Sequence, residues 1–231
     1  MEDRYRDGTY LEKNPGWHVE ESAWKARQIG RMLRLHRLMP ETICDVGCGV
    51  GEVLREVQKR VSDRCTLWGY DISPQAIALS ASRANEQLHF KLADIRQEQG
   101  VAFDLLLVMD VIEHLEDFFS FLREIQPKSQ YKILHIPLDL SVQTLLRRQG
   151  LLHVHDTYGH IHYFTKEIAL ALLQDAGYEV LDSFYTSRAV EIPTDLLGRK
   201  LLRYPRKFLF ALHQDFAVRI IGGFSLLVLA R

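Results

Sequence analysis

The residues that carry the most chemical information form a glycine turn. An apolar run, Thr42–Val46, is followed by glycines at the alternate positions 47, 49 and 51. Apolar residues then recur at helical spacing, so the segment predicts a strand, a turn and a helix. Glycine lacks a Cβ and accepts positive φ, which lets its backbone lie directly against a ligand. The segment therefore predicts a site for a nucleotide-like ligand.

The spacing of these glycines restricts the ligand. A dinucleotide-binding turn that starts at Gly47 would need a glycine at position 52, where the chain has Glu52. The Gly-Lys-Ser/Thr sequence of a phosphate-binding loop is also absent. Asp45, two residues before the first glycine, favours a ligand with positive charge over a pyrophosphate. The alternative is a turn that only packs a helix on a strand.

Three more carboxylates follow predicted strands. Asp71 ends the strand predicted over 66–72, and Ser73-Pro74 then predicts a helix start. A carboxylate at that position of a nucleotide-binding fold accepts hydrogen bonds from ribose hydroxyls. Asp94 ends the strand predicted over 88–95, and Asp110 follows the apolar run 103–109, which is typical of a central parallel strand. Alternating strands and helices predict a parallel, right-handed βαβ sheet.

Composition sets broader limits. The 231 residues suit one large domain or one domain with appendages, and 47% hydrophobic with 26% charged residues is ordinary for a soluble globular protein. The net charge of -1 disfavours nucleic acid as the partner. The three cysteines lack zinc-ligand spacing, and we expect reduced thiols in a cytoplasmic protein. We find no secretory signal region and no run long enough to span a bilayer.

Three segments lie outside the predicted sheet. Residues 1–40 predict an N-terminal helical cap on a domain over 41–231, with an amphipathic helix at 20–38 that points Lys25 outward. Insertions are expected at 139–163, which is rich in histidine, and at 187–221. The basic stretch 199–207 predicts either a solvated helix face or contact with an anionic partner or membrane surface.

These features together resemble the class I S-adenosylmethionine-dependent methyltransferases. The resemblance rests on Asp-x-Gly-x-Gly-x-Gly at 45–51, the carboxylates at 71 and 94, Asp-Val-Ile-Glu-His-Leu at 110–115 and Ala-Gly-Tyr at 176–178. Glu113-His114 resembles the small-molecule O-methyltransferases of the ubiquinone-pathway type. The resemblance implies a Rossmann-like α/β fold with seven strands and helices on both faces. Its mostly parallel sheet would have an antiparallel last strand between the fifth and sixth.

The resemblance also implies S-adenosylmethionine as cofactor and assigns residues to it. Ribose would bind at Asp71, adenine at Asp94, and the methionine part near Asp45 and Asp110. The complete set of cofactor-binding residues expected from the resemblance is Asp45, Gly47, Cys48, Gly49, Gly51, Asp71, Ile72, Asp94, Ile95, Asp110 and Val111.

Transfer to a hydroxyl group also requires removal of a proton. Histidine suits this role at neutral pH because its unperturbed pKa is about 6.5. We expect His114 and His160 to act as catalytic residues, and Trp17, His18 and His162 to contact the acceptor. The alternative for His114 is packing alone.

The predicted function is methyl transfer to a small molecule, at oxygen, with no metal assigned. One alternative is a metal-assisted RNA 3′-end methyltransferase, since such enzymes bind a divalent metal through an acid, Glu-His and a distant histidine. Asp110, Glu113, His114 and either His160 or His162 occur here in that order. A second alternative is a methyltransferase-like module that binds without catalysis.

Overall fold

The computed structural model describes residues 5, 8, 14, 16, 17, 19–192 and 197–231. These residues form one seven-stranded sheet with the order β3-β2-β1-β4-β5-β7-β6. The strands are β1 (Thr42–Val46), β2 (Thr66–Asp71), β3 (Leu88–Leu92), β4 (Phe103–Met109), β5 (Ser129–Leu138), β6 (Val180–Thr186) and β7 (Phe224–Ala230). Strands β1 to β5 pair in parallel, and β7 lies antiparallel between β5 and β6. The predicted fold class and the position of the last strand are confirmed.

Helices connect and flank these strands. They are α1 (Val19–Leu35), α2 (Glu52–Gln58), α3 (Pro74–Ser80), α4 (Phe118–Ile125), α5 (Val142–Leu146), α6 (Gly150–Tyr158), α7 (Lys166–Asp175), α8 (Arg188–Glu191), α9 (Leu197–Leu212) and α10 (Gln214–Ile221). Short 3₁₀ turns cover Ala81–Arg83, Ile95–Gln97, Ile112–His114 and Gln126–Lys128. Among the described residues, none of the helices is long and apolar enough to cross a bilayer.

The sheet has a hydrophobic core on each face. Leu106 and Val108 of β4 pack on one side with residues of α4 and α7. Leu105 and Leu107 pack on the other side with residues of α1 and α2. A strand that is covered on both faces needs apolar side chains at successive positions, which explains the continuous apolar run in β4.

The strand register aligns the carboxyl ends of three strands, β1, β2 and β4, at one edge of the sheet. Val46, the last residue of β1, pairs with Tyr70 of β2 and Val108 of β4. The residues that follow these positions, including Gly47, Asp71 and Asp110, therefore lie at one edge of the sheet. This edge is where ligands bind in open α/β folds.

The structure differs from the sequence expectation in three places. The insertion expected at 139–163 contains two short helices, α5 and α6, that the sequence pattern did not predict. Strand β3 ends at Leu92, so Asp94 and Ile95 lie in the turn that follows it. Lys25 points inward from α1, with only 12% of its side chain exposed. Periodicity missed this last feature because it assigns charged residues to the solvent side.

Gly51 should be intolerant of a side chain. Its φ is +77°, and an added Cβ would lie 2.2 Å from Phe90 Cε1. We expect Gly51→Ala to lower the free energy of unfolding by about 2–4 kcal/mol, from backbone strain and overpacking together. Urea unfolding measures the change. Gly100→Ala is the control, since φ there is +70° but an added Cβ meets nothing within 4 Å. Equal losses in both variants would contradict the packing argument.

Candidate functional site

A cavity of about 380 Å³ lies at the carboxyl ends of the parallel strands. Many of the residues expected from the sequence line it, namely Trp17, Asp45, Gly47, Cys48, Gly49, Asp71, Ile72, Asp94, Ile95, Asp110, Val111, His114 and His160. The fold thus brings the expected cofactor-binding and catalytic groups to one place.

Two expected site residues are not part of this arrangement, and a third is not among the described residues. Gly51 does not line the cavity and packs against Phe90 instead. His162 also lies outside it, with its ring edge-on to Phe118 at 4.8 Å and Nε2 bonded to the Leu115 carbonyl at 2.9 Å. His18 lies outside the described residues.

The glycine turn is anchored to the end of β2. The N–H of Gly47 donates to the Tyr70 carbonyl at 2.8 Å, and the N–H of Gly49 donates to Asp71 Oδ2 at 2.8 Å. Both glycines have positive φ, of +73° and +54°. An added Cβ would come within 3.0 Å of Val111 at Gly47 and 3.2 Å of Trp17 at Gly49. The turn therefore exposes its backbone next to space that a side chain at Gly47 or Gly49 would fill.

Asp71 helps to hold this turn in addition to facing the cavity. Its Oδ1 accepts from the N–H of Ser73 at 2.8 Å, while Oδ2 accepts from Gly49. Burial raises the pKa of Asp71, and these backbone donors oppose that rise. A carboxylate has about four acceptor positions, so the two backbone bonds leave capacity for a ligand.

Asp45 is a buried carboxylate with an unused oxygen. Its side chain is in the wall of the cavity, and Oδ1 has no hydrogen-bond partner among the described residues. Burial raises the pKa of Asp45 to about 8, against the opposing charge of Lys25. A buried acceptor without a donor is costly, and a ligand ammonium group would remove the cost. The bare turn and this orphaned oxygen together fit the amino-acid end of S-adenosylmethionine.

Asp110 is paired on both sides by the protein itself. Its Oδ2 lies 2.5 Å from Lys25 Nζ of α1, and its Oδ1 lies 2.5 Å from His135 Nδ1 of β5. His135 Nε2 continues to Thr186 Oγ1 of β6 at 2.9 Å. Burial alone would raise the pKa of Asp110, but His135 and Lys25 hold it well below its usual range. These contacts join four elements around one carboxylate.

Asp94 also has a protein partner. Its side chain caps the turn at Ile95–Gln97 by accepting from the N–H of Arg96, and it forms an ion pair with Arg96 Nη2 at 2.6 Å. Ile95 beside it is 1% exposed. The carboxylate is thereby held at the cavity wall next to an apolar side chain.

Glu113, His114 and His160 form a cluster on the cavity wall. One potential ligand atom from each lies within 4.8 Å of the others. Glu113 is fully buried, and neither of its carboxylate oxygens has a hydrogen-bond partner among the described residues. Burial raises the pKa of Glu113 well above its usual value, and the nearby Asp110 raises it further. Asp110 belongs to its own network and not to this cluster.

Both histidines of the cluster are oriented by their second ring nitrogen. His114 Nδ1 lies 3.1 Å from the Gly159 carbonyl, and His160 Nδ1 lies 2.7 Å from Asp139 Oδ2. The Glu113 carbonyl accepts from the N–H groups of Ile161 and His162, which ties the insertion to the Glu-His turn. Imidazoles held in this way can accept a proton or bind a metal.

Sequence reasoning missed several residues of the cavity. Tyr5, Lys25, His135, Tyr158 and Arg188 all line it. His135 carried a signal, because it is a polar residue within the apolar strand β5. The sequence contained no such signal for Lys25, because its inward position depends on Asp110, which the fold places opposite it.

Comparison with known proteins agrees with this arrangement. A family model described as a methyltransferase domain matches residues 22–183. The match covers more than half of the chain, and the protein therefore belongs to the methyltransferase-domain family. The methyltransferase domain expected from the sequence is confirmed.

Two curated relatives differ in the atom that they methylate. Ajmaline N-methyltransferase of Rauvolfia serpentina is 36% identical over 93 residues, which is 37% of this chain and 31% of that protein. Ubiquinone biosynthesis O-methyltransferase of Methylobacterium sp. (strain 4-46) is 36% identical over 87 residues, which is 36% of this chain and 34% of that protein. The chain thus spans about a third of the length of these two relatives.

A solved structure shares the fold. Magnesium protoporphyrin IX methyltransferase from Synechocystis PCC 6803, with bound SAH, superposes with a TM-score of 0.61 at 18% identity. The match covers 90% of this chain and 83% of that one. At this identity the likeness concerns the fold alone.

Removal of the Lys25 charge should destabilise the protein because it leaves the partly buried Asp110 carboxylate with one partner fewer. We expect Lys25→Met to lower the free energy of unfolding by about 3 kcal/mol, as for other broken buried pairs. The loss should be smaller when Asp110→Asn is already present, because the two residues are coupled. Urea unfolding of the four proteins in this cycle gives the coupling.

The exposed ion pair between Arg219 and Glu167, at 2.6 Å, provides the control. Both side chains are more than half exposed, and we expect Arg219→Met to leave the urea midpoint unchanged. Additive losses for Lys25→Met and Asp110→Asn would mean that their contact does not stabilise the fold.

Proposed function

We propose that this protein transfers the methyl group of S-adenosylmethionine to an oxygen atom of a small molecule. The observation that carries the proposal is the unpaired Asp45 oxygen beside the bare glycine turn, in the same cavity as His114 and His160. One part of the cavity suits a cationic amino-acid group, and another part offers bases for an acceptor.

The chain offers a separate group for each part of the cofactor. Asp45 and the backbone of Gly47 and Gly49 would hold the methionine end. Asp71 would accept from the ribose hydroxyls, and Asp94 with Ile95 would receive the adenine. When bound, the cofactor supplies an electrophilic methyl group on a sulfonium, so the chemical demand on the protein is small.

The protein must position the acceptor, exclude water and hold a proton. Trp17 and Tyr158 lie in the cavity wall and supply apolar surface. His160 is the favoured base, because the Asp139 carboxylate would accept from its Nδ1–H, leave Nε2 to take up the proton of the acceptor and stabilise the imidazolium that forms. His114, with its ring centroid 4.9 Å from that of His160, is the second candidate.

The proposal of oxygen as the acceptor atom rests on these bases. A hydroxyl acceptor must lose its proton, and a buried imidazole provides for that step. The relatives include both N- and O-methyltransferases, so the comparisons support methyl transfer in general. The proposal of oxygen as the acceptor atom therefore depends on the residues of the site.

The N-terminal segment supports a proposed division of the chain. Tyr5, Trp17 and Lys25 all line the cavity. We therefore propose that residues 1–40 cap a catalytic domain over 41–231. The inserted segments 139–163 and 187–221 would complete the acceptor pocket, since Tyr158, His160 and Arg188 belong to them.

Calorimetric titration with S-adenosylmethionine tests the proposal. We expect binding to the wild type and about 10- to 100-fold weaker binding to Asp45→Asn, since a charge-assisted hydrogen bond contributes about 1.5–3 kcal/mol. The affinity of the wild type should rise as the pH is raised from 6 to 8, because burial raises the pKa of Asp45 to about 8 and the ligand requires the carboxylate.

Asp63→Asn, a change at an exposed position of the β1–β2 connection, is the matched control and should bind like the wild type. The Asp45→Asn variant should lose the rise with pH. Absence of binding heat in the wild type would overturn the proposal in favour of a non-catalytic module. Transfer of labelled methyl groups to amines but not to hydroxylated acceptors would overturn the choice of oxygen.

A metal-assisted transfer, as in an RNA 3′-end methyltransferase, is the second candidate. The observation that favours it is the Glu113, His114 and His160 cluster, whose atoms lie within 4.8 Å of one another. Imidazole and carboxylate ligands suit a transition metal, and both rings have the outer partners that metal-bound histidines use. The net charge of -1 argues against RNA as the acceptor.

Metal removal separates the two candidates. We expect EDTA to leave methyl transfer unchanged if the histidines act only as bases. If the second candidate is right, protein purified without a histidine tag should contain bound metal. The Glu113→Gln variant should lose that metal. Glu116→Gln, a nearby substitution outside the cluster, is the control. Chelator-sensitive transfer together with salt-dependent RNA binding would replace the first candidate with the second.

A further inference from the structure

Large apolar side chains are exposed on the two inserted segments. In α9, Tyr204, Phe208 and Leu212 are 75%, 68% and 66% exposed. Their spacing of four residues places them on one stripe of the helix. Leu145 and Leu146 at the end of α5 are 62% and 81% exposed. Single exposed apolar residues are ordinary, but a group on neighbouring elements marks an interaction surface.

The elements that carry these residues are joined to one another. Arg206 of α9 donates to Gln143 Oε1 of α5 at 3.2 Å and to the Ile221 carbonyl at the end of α10 at 3.5 Å. Gly222, just after α10, lies so close to α5 that an added Cβ would be 2.5 Å from Ser141 Oγ. We call the exposed side chains of α5, α6, α9 and α10, together with those of the connection 147–149, the apolar–basic face.

The same elements concentrate positive charge. Segment 197–221, which contains α9 and α10, has six basic residues and one acidic residue, and segment 142–158, which contains α5 and α6, has two arginines and one aspartate. The chain as a whole has a net charge of -1. Arg147, Arg148 and Lys207 are exposed beside the apolar side chains. The surface therefore combines apolar tips with cationic groups, whereas the rest of the chain carries a net negative charge.

We infer that the apolar–basic face docks on an anionic phospholipid bilayer. The free energy falls when exposed leucine and phenylalanine side chains move from water into the boundary between headgroups and acyl chains. Arginine and lysine beside them are attracted to anionic headgroups. The complementary charge, together with the apolar stripe, identifies the partner.

Two other partners fit the face less well. A two-fold dimer through this face would place the same basic residues of both copies against each other. A single-stranded nucleic acid would use the cations and the aromatic rings, but Leu145, Leu146 and Leu212 cannot stack on bases. Lipid uses both the aliphatic and the cationic groups.

The face lies next to the cavity. Helix α6 ends at Tyr158 and α10 is followed by Gly223, and both residues line the cavity. A docked bilayer would therefore lie beside the site. Docking does not depend on the proposed reaction, because it uses only the outer surface.

Flotation of the full chain with vesicles tests the inference. We expect binding to phosphatidylcholine vesicles that contain phosphatidylglycerol, weaker binding to phosphatidylcholine alone, and a decrease as salt is added. The double change Phe208→Ser with Leu212→Ser should abolish binding. Met39→Ser is the matched control, since Met39 is 85% exposed but lies outside the face.

The charge contribution has its own variants. Arg147→Gln and Arg148→Gln should each weaken binding about fivefold, whereas Arg64→Gln, at an exposed position elsewhere, should have no effect. Unchanged melting temperatures show that the variants are folded, and titration with S-adenosylmethionine shows separately whether the cofactor site is intact.

Several results would overturn the inference. These are absence of binding to the anionic vesicles at low salt, equal losses in the Met39 and Arg64 controls, and a dimer in sedimentation that depends on Phe208. Tight RNA binding that excludes vesicles would assign the face to nucleic acid instead.

Discussion

The pairing of the partly buried Asp110 carboxylate with Lys25 and His135 is the interaction on which the arrangement of the cavity depends. Asp110 directly follows β4, bonds Lys25 of α1 and His135 of β5, and through His135 reaches Thr186 of β6. A carboxylate in this position needs positively charged partners. Without them, its removal from water would cost several kilocalories per mole of folding free energy, as an order of magnitude. The N-terminal helix is thereby held against the sheet by a charge at the centre of the site.

The pairing of Asp110 determines what the other buried acids can do. Asp45 and Glu113 share the cavity with Asp110 but have oxygens without hydrogen-bond partners among the described residues. Burial raises the pKa of both groups, and Asp110 adds to the rise. They are therefore suited to a ligand cation or a proton. Asp110, whose oxygens are paired, supports the structure of the cavity, whereas the unpaired oxygens of Asp45 and Glu113 are available for binding.

The inserted segments have two surfaces with different roles. Their inner residues, such as His160 and Tyr158, face the cavity, while Leu146 and Phe208 face solvent. Hydrophobic periodicity did not predict α5 and α6, because exposed leucines give no sign of which side is buried. The strands were predictable for the opposite reason. The apolar run of β4 is buried on both faces, so its sequence reports its environment directly.

The local sequence by itself determined the strands of the parallel sheet, the glycine turn and the acids that follow these strands, whereas the seven-stranded order came from the resemblance to a family. Those features depend on backbone conformation and on residues close along the chain, which spacing records. Only the tertiary structure placed Lys25 and His135 against Asp110, assembled Glu113, His114 and His160, and excluded Gly51 and His162 from the cavity. These contacts join segments far apart in the chain, and their energies depend on distance and burial that a sequence pattern does not contain.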